Sequence, residues 1–164
     1  MRVLKVVEGT SVDGPKLRTS IYLAGCSHAC PGCHNPQSWD PAGGEEMSED
    51  ELMRVIAYNE APVTFSGGDP LFQAGAVASL AARIKRELGY NIWCYTGYTW
   101  EHIVQQPQLM ELMKSIDVLV DGPFVMAERD LDILFRGSRN QRLINVPETM
   151  KHGQVVLFEP QVKI

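Results

Sequence analysis

Three cysteines fall within eight positions of one another, in Cys26-Ser-His-Ala-Cys30-Pro-Gly-Cys33. Thiols clustered this tightly suit a metal better than disulfides, which in a small secreted protein are spread out to staple distant segments. Structural zinc takes four ligands, commonly from two separated knuckles. Here a second knuckle is missing, and only His28 or His34 could complete such a site. A cubic 4Fe–4S cluster is normally held by four thiolates. With three, one iron keeps a position open for an outside ligand, as a catalytic zinc does. Spacing alone leaves both readings standing. The fourth cysteine, Cys94, lies between Trp93 and Tyr95 and reads as a buried strand residue acting as a small hydrophobe.

These residues need elements to position them. Ser20-Ile-Tyr-Leu-Ala24 reads as a strand running directly into the cysteine loop. Pro62-Val-Thr-Phe65 is a second strand, and it runs into Ser66-Gly67-Gly68-Asp69-Pro70. Between them, Ser48-Glu-Asp-Glu51 is a capping box that opens a helix with Leu52, Val55 and Ile56 on its apolar face. Val77, Leu80, Ala81, Ile84 and Leu88 recur at helical spacing, with Gly89 at the C-terminal cap. Strands follow at Asn91–Tyr95, Asp117–Val120 and Arg142–Val146, with a helix opened by Pro107 that carries Leu109, Leu112 and Met113. Gln154 to Phe158 is one more candidate strand.

Strands alternating with helices predict an α/β fold with a mostly parallel sheet. A complete (β/α) barrel needs about 250 residues, and this chain has 164. The expectation is therefore a partial, open (β/α) TIM-like barrel. A flat doubly wound sheet is the competitor, but neither G-x-G-x-x-G nor a Walker lysine loop is present. In parallel βα folds, sites form at the carboxyl ends of strands. The cysteine loop and the Ser-Gly-Gly-Asp loop are both strand-end loops, which puts them on one rim.

Composition bounds the rest. A hydrophobic fraction of 45% and a charged fraction of 21% are those of an ordinary globular protein. One domain spanning residues 1–164 is expected, with residues 146–164 as a C-terminal extension. No apolar run is long enough to cross a bilayer, and the opening residues lack a secretory apolar stretch. Fifteen Lys and Arg against 20 Asp and Glu give a net charge of −5, which argues against nucleic acid as a partner. A soluble, cytoplasmic protein is expected.

The C-x-x-x-C-x-x-C spacing after one strand, with Gly67-Gly68-Asp69 after the next, resembles the radical S-adenosylmethionine superfamily. Further segments are similar to one branch of it. They are Val12-Asp13-Gly14-Pro15 with Arg18, Cys33-His34-Asn35, Ser38-Trp39, Ser66 to Leu71, Trp93, Thr96-Gly97-Tyr98, Val120-Asp121-Gly122, and Arg136-Gly137-Ser138 with Asn140-Gln141. That branch is the anaerobic ribonucleoside-triphosphate reductase activating family, among the glycyl-radical enzyme activases. The likeness runs from about Val6 to Asn145.

The resemblance implies a barrel of the radical S-adenosylmethionine type. It implies that Cys26, Cys30 and Cys33 hold a 4Fe–4S cluster whose fourth iron is chelated by S-adenosylmethionine. Ser66, Gly67, Gly68 and Asp69 would hold the amino group of that molecule, since glycines let backbone carbonyls approach an ammonium and an acidic neighbour complements its charge. Gly32 stands where many members carry an aromatic residue, so Gly32 and His34 are the candidates for contact with the adenine. The implied activity is reductive cleavage of S-adenosylmethionine to place a glycyl radical on the large subunit of the reductase. The electron would come from a low-potential donor such as flavodoxin. The alternatives are an activase for another glycyl-radical enzyme and a zinc-bearing interaction module without catalysis. Asp13 and Arg18 are candidates for an ion pair. Tyr95 and Tyr98 are expected near the rim, Asp121-Gly122 is a turn or a contact, and Arg136 to Gln141 is a solvated loop or a docking surface.

Overall fold

The computed structural model describes residues 1–28, 30–33 and 36–160. Its strands are β1 (Arg2–Thr10), β2 (Arg18–Leu23), β3 (Glu45–Glu46), β4 (Val63–Gly67), β5 (Ile92–Tyr95), β6 (Val118–Asp121) and β7 (Arg142–Asn145). Its α-helices are α1 (Glu49–Asn59), α2 (Ala74–Glu87), α3 (Trp100–Ile103), α4 (Pro107–Met113) and α5 (Val146–His152). The strands form one open sheet in the order β3-β1-β2-β4-β5-β6-β7.

This sheet corrects the expectation of a partial (β/α) barrel. Only β2, β4, β5 and β6 run parallel. The β1, β3 and β7 pairings are antiparallel, so the sheet is mixed, and it is not closed. The connections explain it. A parallel pairing needs a crossover of a dozen or more residues, usually helical. Helix α1 supplies it from β2 to β4, α2 from β4 to β5, and α3 with α4 from β5 to β6. By contrast, β1 and β2 are separated only by residues 11–17, which form a turn. Between β6 and β7 the helical content is a single 3-10 turn, Met126–Glu128, so β7 returns antiparallel.

The elements form for local reasons. Ser48 accepts from the Glu51 amide at 3.1 Å while Glu51 accepts from the Ser48 amide at 3.2 Å, closing the capping box of α1. Gly89, at φ +68°, follows the end of α2 in the left-handed region. Alternation in the strands sends Phe65, Ile92, Cys94 and Leu119 to one face, where Leu52, Ile56, Val77, Leu80, Ile84 and Leu112 of the helices join them in the main core. Trp93, Val118, Val120 and Leu143 point to the other face and make a smaller cluster with Tyr95, Phe135 and Phe158. The segment after β7 is α5 followed by a return in which Leu157 bridges Ile144, so the expected Gln154–Phe158 strand is reduced to one bridge. Its Phe158 ring meets Trp93 edge-on at 5.4 Å.

Arg18 anchors that second face. It is 1% exposed, and its guanidinium donates to Thr64 Oγ1 at 2.8 Å, the Val63 carbonyl at 2.9 Å, Asn91 Oδ1 at 2.9 Å and the Pro15 carbonyl at 3.1 Å. It lies over Trp93 at 5.5 Å. The expected Asp13–Arg18 ion pair is not formed among the described residues; Asp13 instead accepts from the Tyr22 hydroxyl. Burial pushes the Arg18 pKa down to about 10, so the group stays charged at neutral pH. Arg18 thereby stitches β2 to β4 and to the start of β5. Arg18→Ala is expected to cost about 3 kcal/mol in urea unfolding, from the unpaired acceptors and the cavity left behind. A loss under about 0.5 kcal/mol, the level of an ordinary surface change, would show that Arg18 is not an anchor.

Candidate metal centre

Parallel pairing of β2 with β4 sets Leu23 opposite Gly67, and the chain leaves both strands on the same rim. The two loops that follow are joined by their backbones. The Gly68 amide donates to the Leu23 carbonyl at 2.8 Å and the Asp69 amide to the Gly25 carbonyl at 2.7 Å. Gly25 and Cys26 in turn donate to the carbonyls of Ser38 and Trp39, at 2.8 and 3.3 Å. Glycine is needed for this approach. A Cβ on Gly67, whose φ is +106°, would stand 2.3 Å from the Leu23 nitrogen, and one on Gly68 would stand 2.4 Å from the Gly25 oxygen. Gly67 is thus required by the approach to the end of β2, and Gly68 by the packing of one loop on the other.

The loops enclose a cavity of about 250 Å³. Cys26, Cys30 and Cys33 line it together with Ser66, Gly67 and Gly68, and Thr96 and Gly97 come from the end of β5. All three cysteines are half-buried and outside any disulfide. Among the described residues no three acid, histidine or thiol groups converge as a ready-made site for a metal ion; the thiols instead border one shared cavity. Cys94 is fully buried on the helix-facing side of the sheet, where burial raises its thiol pKa well above the ordinary value. It is separate from the site.

The remaining expected residues are placed as follows. Asp69 is 2% exposed and does not line the cavity. Its Oδ1 accepts from the Leu71 amide at 2.9 Å, and its Oδ2 accepts from Thr96 Oγ1 and the Gly97 amide, each at 3.0 Å, and meets His28 Nε2 at 2.6 Å. Gly32, at φ +76°, faces the β6–β7 connection: a Cβ there would lie 2.0 Å from Met126 Cε and 3.4 Å from the Phe124 ring. His34 lies outside the described residues. Tyr95 lines the cavity, and its buried hydroxyl has no hydrogen-bond partner among the described residues. Tyr98 stands between two histidine rings, His28 at 4.5 Å edge-on and His102 stacked at 4.8 Å.

The cavity is also lined by Gly122, Phe124, Gly137 and Gln141 of the β6–β7 connection; the sequence marked Gly122 as a turn or a contact and Arg136 to Gln141 as a loop or a docking surface, and missed Phe124. Gln141 Oε1 accepts from the Gly137 amide at 2.9 Å while its Nε2 donates to the Gly122 carbonyl at 3.0 Å. Asn140 donates to the Pro123 carbonyl at 2.8 Å. The Asn-Gln pair was the available signal: two side-chain amides, each able to donate and accept, in a segment rich in backbone needing partners. Asp121, 1% exposed, has a structural part. It accepts from the Trp100 amide at 2.8 Å and takes Arg142 in a fork at 3.0 and 2.6 Å. Those hydrogen bonds and the Glu101 carboxylate raise the Arg142 pKa.

The family described as "4Fe-4S single cluster domain" matches residues 12–144, a span that includes all three cavity cysteines and every wall of the cavity. The site thus lies in an iron–sulfur domain of the single-cluster kind. The anaerobic ribonucleoside-triphosphate reductase-activating protein of Vibrio cholerae is 35% identical over 139 residues, covering 79% of this chain and 88% of that protein. The protein of the same name in Escherichia coli K12 is also 35% identical, over 79% of this chain and 89% of its own length. That of bacteriophage T4 is 32% identical over 86% and 92%. The chain belongs to the anaerobic ribonucleoside-triphosphate reductase-activating protein family. Among the described residues no helix is long and apolar enough to cross a membrane.

The burial pattern makes a direct expectation. In the metal-free native chain, a thiol reagent should modify Cys26, Cys30 and Cys33 quickly and Cys94 only after unfolding. Peptide mapping after a short pulse of iodoacetamide reads this, and early modification of Cys94 would contradict its placement.

Proposed function

We propose that this chain is the activase that installs a glycyl radical on an anaerobic ribonucleoside-triphosphate reductase, using a 4Fe–4S cluster and S-adenosylmethionine. The observation that carries the reading is the convergence of three cysteines and the Ser66-Gly67-Gly68 backbone on one cavity at the carboxyl ends of parallel strands. The donor set fits the cluster. Three thiols on one loop leave one corner of a cubic cluster without a protein ligand, and the glycine loop borders the same space. Held by Cys26, Cys30 and Cys33, the cluster would supply the electron for reductive cleavage of S-adenosylmethionine to methionine, the chemistry that activates the target glycine.

The chain's own residues bind, orient and shield. Cys26, Cys30 and Cys33 hold the metal as thiolates. Ser66, Gly67 and Gly68 present backbone and hydroxyl groups to the polar end of S-adenosylmethionine. Gly32 and His34 remain the candidates on the adenine side. Phe124 and Tyr95 border the space with aromatic carbon, which limits what a reactive radical can attack and keeps water out. Tyr95 and Gly137 also line a neighbouring groove of about 530 Å³ between residues 11–13 and 131–137. A backbone segment of the reductase lying in that groove would reach the cavity through the Tyr95 wall. The electron donor is a low-potential carrier protein such as flavodoxin, working in the cytoplasm.

Anaerobic reconstitution is expected to load about four irons and four sulfides per chain. Mixed with the reductase, a reductant and S-adenosylmethionine, the loaded protein should yield 5′-deoxyadenosine and the glycyl-radical doublet in electron paramagnetic resonance. Cys30→Ala should abolish both. One zinc per chain with no radical would overturn the reading in favour of a structural metal module.

A further inference from the structure

We propose that His28 and Asp69 form a latch that fixes the cysteine loop against the glycine loop, making His28 a positioning residue for the cofactor site; its importance for S-adenosylmethionine rests on the function proposed above. An ionised carboxylate is acceptor-only and offers about four lone-pair positions. Among the described residues Asp69 has four donors: the Leu71 amide, Thr96 Oγ1, the Gly97 amide and His28 Nε2. One of the four meets Oδ1 and three meet Oδ2, so the carboxylate is engaged inside the protein. Leu71, Thr96 and Gly97 tie Asp69 to its own loop and to the end of β5. Of these four, His28 is the donor from the cysteine loop, and it sits midway between Cys26 and Cys30 in the sequence.

The ring is held on more than one side. It lies against Gly97, where an added Cβ would stand 2.7 Å from His28 Cδ2. Tyr98 meets it edge-on at 4.5 Å and 73°, and Tyr98 is itself stacked on His102 at 4.8 Å and 8°. Facing an acceptor-only group at 2.6 Å, Nε2 is the ring nitrogen that carries the hydrogen. A charge-assisted hydrogen bond in a buried setting is among the stronger ones available to a loop. Moving the cysteine loop away from the β4 end would break it and strip a buried carboxylate of one donor. The latch therefore adds a side-chain tie, nearer the thiols, to the backbone hydrogen bonds that join the two loops before any cofactor arrives, as groups behind metal ligands do elsewhere.

The test compares the full chain with His28→Ala and with His28→Gln, whose side-chain amide can still donate to Asp69. Amide hydrogen exchange on the metal-free proteins reads the latch alone. In His28→Ala, exchange of the cysteine-loop amides should rise about tenfold or more, with α1 and α2 unchanged, and His28→Gln should recover most of the protection. On the reconstituted proteins, the Kd for S-adenosylmethionine should weaken about tenfold or more in His28→Ala and recover in His28→Gln. Wild-type exchange in His28→Ala, or a His28→Gln protein as loose as His28→Ala, overturns the latch. Failure of every protein, wild type included, to bind S-adenosylmethionine would overturn the proposed function instead, and the exchange comparison would still decide the latch.

Discussion

The close approach of two backbones at the ends of β2 and β4 is the constraint on which the site depends. The Gly68 amide donates to Leu23 at the end of β2 at 2.8 Å and the Asp69 amide to Gly25 at the start of the cysteine loop at 2.7 Å, and neither Gly67 nor Gly68 leaves room for a Cβ. Parallel register alone would place the loops on one rim. These hydrogen bonds bring them into contact, and contact is what a shared cofactor pocket requires. Behind them, the main core packs α1, α2 and α4 on one face of the sheet, giving the rim a rigid base.

The mixed sheet changes how the pocket is closed. In a continued barrel, the wall opposite the cysteines would come from further strands. Here β7 returns antiparallel beside β6, and the long connection between them borders the cavity, with Gly122, Phe124, Gly137 and Gln141 lining it together with the cysteines. The wall is therefore loop rather than strand, held by Gln141 and Asn140 and anchored below by the Asp121–Arg142 fork. A wall of this kind can adjust to a macromolecular substrate with less cost than one built into a sheet.

Much of this was legible in the sequence because its signals are local. The cysteine spacing, the Gly-Gly pair and the strands that precede them each span a few residues, and the Ser48–Glu51 box marks the start of α1 where the structure has it. Strand direction was not legible, because it depends on what the connections contain. Residues 122–141 hold one short 3-10 turn and no crossover helix, so β7 returns antiparallel. Strand β1 escaped notice because, as a strand near the sheet edge, it buries only Val3 and lacks apolar alternation. Asp69 invited a reading as a ligand for a cation because its partners lie far off in sequence. His28 is 41 positions away and Thr96 is 27. A buried carboxylate is read from its donors, and only the fold assembles them.

The central claim is that three cysteines hold a cluster with one open iron beside the glycine loop. Electron paramagnetic resonance of the reduced, anaerobically reconstituted full chain, with and without S-adenosylmethionine, tests it most directly. The expected result is a reduced 4Fe–4S signal whose shape changes when S-adenosylmethionine is added. A cluster signal indifferent to S-adenosylmethionine, or a protein that takes up zinc and gives no cluster signal, would contradict it.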